Sequence, residues 1–248
     1  FLLIRIFIYL TIRLMSEKNF LSKKSTILFI VVCFIALLLR LYQINFEDYW
    51  LDEQATFWVS DPFLSLKETL DRSYDLDFGT HIVFNLIVKK FFEIFNYDPQ
   101  VGRLLPLTFG FISIPIISYL TFQLQKGKSY ILVAFLCSIN FYLISYSQEL
   151  RSYSLTFLLG LLSIIFFYKI LENEISLNKK IFYTFLYILF SLLGACVHIF
   201  FFIIIISQSS YLFLNYYFYK KKILLSTISI VLVIIFYFLF MFDALLMQ

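Results

Sequence analysis

The chain has 248 residues, of which 61% are hydrophobic, 21% aromatic and only 15% charged, with a formal net charge of +4. A soluble domain averages about 45–50% apolar and about 25% charged residues, so this sequence lacks the polar residues needed to cover a water-facing surface, and its solvent must be largely lipid. The apolar runs are long and continuous, unlike the short alternating segments of a membrane barrel. Lys clusters fall between those runs, so the basicity reports membrane orientation rather than nucleic-acid binding. The expected fold class is all-α, a polytopic helical membrane protein.

In chain order, residues 1–26 read as a cytoplasmic N-terminal segment. Within it, Met15 opens "MSEKNFLSKKSTILFIVV" in the manner of a normal start, so residues 1–14 are expected to be upstream sequence or the mark of a fragment. That reading is preferred to an interfacial helix carrying Arg5 and Arg13. Crossing a hydrocarbon core of roughly 30 Å takes about 17–25 residues. Residues 27–44, 103–124, 130–147, 153–171 and 223–241 meet that length, and 181–219 is long enough for two spans with a break near His198. Residues 82–96 are apolar but short and carry Lys89, Lys90 and Glu93. The end at "MFDALLMQ" follows an apolar run directly, and the chain is expected to be truncated there.

Topology follows from placing positive charge inside. Lys18, Lys23 and Lys24 put the N-terminus in the cytoplasm and the loop over 45–80 outside. That loop is acidic, with Glu47, Asp48, Asp52, Glu53, Asp61, Glu68, Asp71, Asp75 and Asp77. If 82–96 does not cross, the later clusters at Lys126 and Lys128, at Lys169 to Lys180 and at Lys220 to Lys222 all fall inside. Residues 82–96 are therefore predicted to form an interfacial or short re-entrant helix. The same choice places "SQELRSY", Ser147 to Tyr153, and His198 on the outer side with the acidic loop.

Each candidate site residue has a plain reading beside the functional one. Asp52 and Glu53, in "EDYWLDEQATFW", are either solvated loop acids or carboxylates at the membrane surface acting as general base or metal ligand. Trp50, Phe57 and Trp58 supply the aromatic setting of headgroup level. Glu149 and Arg151 either pair with each other across a turn, or Arg151 clamps a phosphate with its planar guanidinium. Gln148 and Tyr153 add hydrogen bonds in the second case. Arg103 is expected to snorkel at a helix end rather than touch a ligand. His81 follows a glycine-bearing turn, and His198 is expected to be structural. Two histidines with no further ligand cluster do not make a metal site. Cys33, Cys137 and Cys196 lie in apolar runs without CxxC spacing and read as buried small hydrophobes.

The order of these pieces, "RLY" to "WLDE" (Arg40 to Glu53), an acidic loop, "VGRLLPLTFGFISIPIISYLTFQL", "LISYSQELRSYSL" and "GACVHIFFF", resembles the GT-C fold glycosyltransferases. The likeness is to the branch with the protein O-mannosyltransferases and the lipid A aminoarabinose transferases, and it covers most of 27–205. It implies a GT-C-like transmembrane bundle over 27–248, a sugar donor carried on a polyprenyl phosphate, transfer at the outer face of the plasma membrane, and an acceptor hydroxyl on protein, glycan or lipid. By that likeness Asp52 matches the acceptor-serving acid of the first external loop, and Glu53 is its partner. Glu149 and Arg151 match the second motif, and His198 a histidine of the following helical pair. No cofactor is implied with certainty, and a divalent cation held by Glu53 or Glu149 is admitted. The chain departs from the pattern where relatives carry an "NPPL"-like stretch and it has "GTHIVFN", and such enzymes are usually much longer, so this chain is expected to be an N-terminal part. A transporter or lipid flippase is the rival class, and a membrane scaffold or inactive fragment is a third reading. Its ionisable groups would sit near the midplane on broken helices, whereas here the acids gather in one loop and the spans are nearly free of charge.

Overall fold

A computed structural model describes residues 23–77, 79–125, 127, 129–172, 175–215 and 226–239; the predicted segment 1–14 lies outside them. Among the described residues the fold is entirely helical. In order the helices are α1 (Lys23–Leu41), α2 (Leu51–Val59), α3 (Leu66–Asp77), α4 (Ile82–Ile94), α5 (Pro99–Gly102), α6 (Leu104–Gln125), α7 (Ser129–Ile139), α8 (Phe141–Ser145), α9 (Tyr153–Leu171), α10 (Leu177–Val197), a 3-10 turn (Ile199–Phe201), α11 (Phe202–Leu214) and α12 (Ser226–Leu239). Among the described residues three segments are long and apolar enough to cross a membrane: Pro99–Gln125, Tyr153–Leu171 and Leu177–Val197.

The chain divides into two compact units, Phe1–Phe63 with Ile87–Leu158, and Leu64–Leu86 with Leu159–Gln248. In the first unit α1, α6 and α7 pack together. Asp98 starts α5 by accepting from Gln100 N at 2.8 Å, with Pro99 at the first helical position, where a missing N–H costs nothing. The hydroxyls of Thr108, Ser113, Ser118 and Thr121 along α6 each donate to the carbonyl four residues back. That local bond lets a hydroxyl sit in an apolar helix without stranding a donor.

The second unit has a small neutral network at its centre. Tyr187 donates to Gln208 at 2.9 Å, Gln208 Nε2 donates to Ser163 at 3.0 Å, and Ser163 and Ser191 share a bond of 2.8 Å. All four side chains are buried, and they tie α9, α10 and α11 to one another. Gly194 lies so close to the Phe201 ring that a Cβ there would collide with it.

Three features bear on the sequence reading. The stretch 181–219 is broken at His198, where α10 ends and the 3-10 turn begins. Residues 82–96 hold the 13-residue α4, below spanning length. The expected span over 130–147 is interrupted at Asn140, an extended residue whose side chain accepts from Leu143 N at 3.0 Å and starts α8. An Asn in that position competes with the helix for its own backbone, and the apolar character of its neighbours concealed the break.

Candidate functional site

Glu47 to Trp50 lead into α2 in extended or turn conformation, and Asp52 and Glu53 occupy the first turn of that helix. Negative charge is favoured there by the exposed N–H groups and the helix dipole. Although adjacent, the two acids point to different surroundings. Glu53 is fully buried, on the same face as Thr56 and Val59, while the Asp52 side chain is 42% exposed.

Glu53 is held by Arg103. The guanidinium donates from Nε to Oε1 at 2.9 Å and from Nη2 to Oε2 at 2.6 Å, the bidentate geometry that makes such pairs strong. Its remaining N–H groups reach backbone carbonyls: Nη1 to Ile44 at 2.8 Å and Glu47 at 2.8 Å, and Nη2 to Asp48 at 3.2 Å. Every donor of the guanidinium is thereby used. Arg103 is buried, with the Tyr49 ring 4.9 Å from its central carbon, so the expected snorkelling does not occur. The reason is that an internal carboxylate and three carbonyls replace the water it would otherwise seek. Burial, reinforced by the Glu53 charge, pushes the Tyr49 phenol well above its ordinary value.

Glu53 also accepts the backbone N–H of Leu150 at 2.6 Å. That bond brings the segment between α8 and α9 against α2, and the next residue, Arg151, meets Asp52. Arg151 Nη2 lies 3.5 Å from Asp52 Oδ2, and Nη1 donates to the Asp52 carbonyl and to Thr56 Oγ1, each at 3.2 Å. The Nε–H of Arg151 is buried and has no partner among the described residues. A buried donor left unpaired costs about 1–3 kcal/mol.

The other residues of "SQELRSY" divide by role. Gln148 donates to the carbonyls of Arg40 at 3.0 Å and Tyr42 at 2.8 Å, closing the C-terminal end of α1. Glu149 accepts from Ser145 at 3.2 Å, and burial pushes its carboxyl above the usual carboxylate range. Arg151 thus turns to Asp52 rather than to Glu149. Tyr153 opens α9 with its ring 4.8 Å from that of Tyr146, and Ser154 donates to the Tyr146 carbonyl at 2.9 Å.

His81 and His198 belong to the second unit. His81 Nδ1 is 3.1 Å from the Val197 carbonyl, which fixes the proton on that nitrogen, and the two imidazoles are 5.0 Å apart. His198 Nδ1 accepts from Phe200 N at 3.2 Å and so caps the 3-10 turn. Within the first unit hydrogen bonds and ion pairs join Asp52, Glu53, Arg103 and Arg151 and add Thr56, whereas Gln148 bonds to the Arg40 and Tyr42 carbonyls, Glu149 to Ser145, and Tyr153 packs on Tyr146. Thr56 was readable, since it lies three residues from Glu53 on the same helix face; nothing in the sequence singles out Ser145.

A divalent cation does not fit these residues. Both oxygens of Glu53 are committed to Arg103 and Leu150, and among the described residues there is no cluster of three or more His, Cys, Asp or Glu able to hold a metal. The chain matches no known protein family, no curated protein and no solved structure.

Proposed function

We propose that the protein is a polytopic membrane glycosyltransferase that moves a sugar from a polyprenyl-phosphate donor to an acceptor hydroxyl at the outer face of the plasma membrane. The observation that carries this reading is the pairing of a half-exposed carboxylate with a guanidinium holding one unused, buried N–H. One group can take a proton and the other can receive a phosphate oxygen, and they lie side by side on the same unit. The GT-C likeness gives Asp52 the acceptor-serving task and places Arg151 in the second motif.

In this mechanism Asp52 accepts the proton of the acceptor hydroxyl as its oxygen bonds to the anomeric carbon. The bond from that carbon to the phosphate oxygen breaks, and its electron pair leaves with the polyprenyl phosphate. In-line displacement inverts the anomeric centre. Arg151 stabilises the charge growing on the leaving phosphate. Glu53 and Arg103 hold Asp52 and Arg151 in register and take no part in the proton transfer.

The test uses purified full-length protein, wild type beside Asp52→Asn, supplied with polyprenyl-phosphate sugars and candidate acceptors. Loss of a general base lowers the rate by about 10²–10⁴-fold. Transfer by the wild type with that loss in Asp52→Asn supports the reading, and equal transfer by both proteins removes Asp52 from the chemistry.

A further inference from the structure

Helix α2 is built inside out. Its buried face carries Glu53, Thr56 and, at the C-terminal boundary, Ser60, with only Val59 apolar, whereas the opposite face exposes Leu51 (77%) and Trp58 (45%). At 100° per residue, positions 51, 54 and 58 share one side and 53, 56 and 60 the other. The flanking chain repeats the inversion: Phe46, Trp50 and Phe63 are exposed by 76%, 45% and 88%. A water-facing helix of a globular protein has the reverse arrangement. Exposing these side chains while enclosing the charges lowers the free energy only if the outer medium is apolar.

Two further facts limit where that medium lies. With nine residues, α2 is roughly 13 Å long at 1.5 Å per residue, well short of a roughly 30 Å hydrocarbon core. Its exposed flank also carries Gln54 beside the half-exposed Asp52, groups that need water within reach. Trp is the side chain best suited to such a boundary, because its ring is apolar and its N–H is polar. We infer that the Leu51–Trp58 face of α2 docks on the membrane itself, lying along the boundary between headgroups and acyl chains. Asp52 is then held at headgroup depth whatever chemistry it performs, and the inference stands or falls independently of sugar transfer.

Trp50 and Trp58 are the two tryptophans of the whole chain, so its fluorescence reports on this face alone. The experiment uses full-length Trp50→Phe and Trp58→Phe, each retaining one emitter, with the parent protein as reference, in phosphatidylcholine vesicles. The lipids carry bromines either near the glycerol end of the acyl chains or near the methyl end, and acrylamide probes from water. Each Trp is expected to lose most of its emission to the shallow bromines and little to the deep ones. Quenching by acrylamide alone would place α2 in water, and stronger quenching by the deep bromines would place it in the core. Protection from every quencher would mean that protein covers the face. Any of these three results overturns the inference.

Discussion

The two units of the chain join their helices with different chemistry. In the first, the tie across elements is ionic: Arg103 and Glu53 are both buried and bring together the turn after α1, α2, the start of α6 and the segment before α9. In the second it is neutral, a relay of Tyr187, Gln208, Ser163 and Ser191. A neutral network can lose a member at lower cost, because its partners forfeit hydrogen bonds but no charge is stranded. An ion pair cannot, since removing one partner leaves a buried charge. Strong fixation therefore coincides with the unit that holds Asp52 and Arg151, and the weaker kind with the unit that holds none of the proposed chemistry.

The sharpest break of this contrast is in the charged tie. Arg103→Leu should destabilise the protein by about 3–5 kcal/mol, read as a lowered unfolding midpoint in detergent. Adding Glu53→Leu to it should restore much of the loss, because no charge then stays buried without a partner. If the double variant is no better than Arg103→Leu, the cost came from packing and the ionic account is wrong. In the second unit, Gln208→Leu should cost less on the same measurement, the loss of two hydrogen bonds worth about 0.6–2 kcal/mol each between membrane helices. A loss as large as that of Arg103→Leu would erase the distinction between the two units.

The smallest effect is a pH dependence of the first unit. Burial raises the Glu149 carboxyl in the folded protein, so the folded state binds a proton more readily than the unfolded chain. Stability is then greatest below the ordinary glutamate value and falls as pH rises through it toward the folded value. Glu149→Gln should flatten that slope in a series of unfolding midpoints against pH. An unchanged slope would assign the dependence to another group.

How much of this could be read in advance depended on sequence distance. The helix over 153–171 and the break at His198 were legible because hydropathy is a local property, recorded in consecutive residues. Asn140 was legible in principle as a cap residue, but an apolar run on both sides outweighed a single polar letter. The fate of Glu53 was not legible as an isolated fact. Asp52 and Glu53 are chemically alike and adjacent, and the difference arises from Arg103, 50 residues away, and from the N–H of Leu150, which no side-chain pattern encodes. The direction of Arg103 was missed for the same reason, since snorkelling is the default when the partner lies far off in sequence.

The bond from Leu150 N to Glu53 has an evolutionary corollary. Connections between helices usually tolerate insertion and deletion, and their length drifts freely. Here the residue count between α8 and α9 is counted from a fixed point, because a single residue gained or lost ahead of Leu150 would deliver a different amide to the Glu53 carboxylate and carry Arg151 away from Asp52. This segment should accept changes of letter at Gln148 or Ser152 more readily than any change of length.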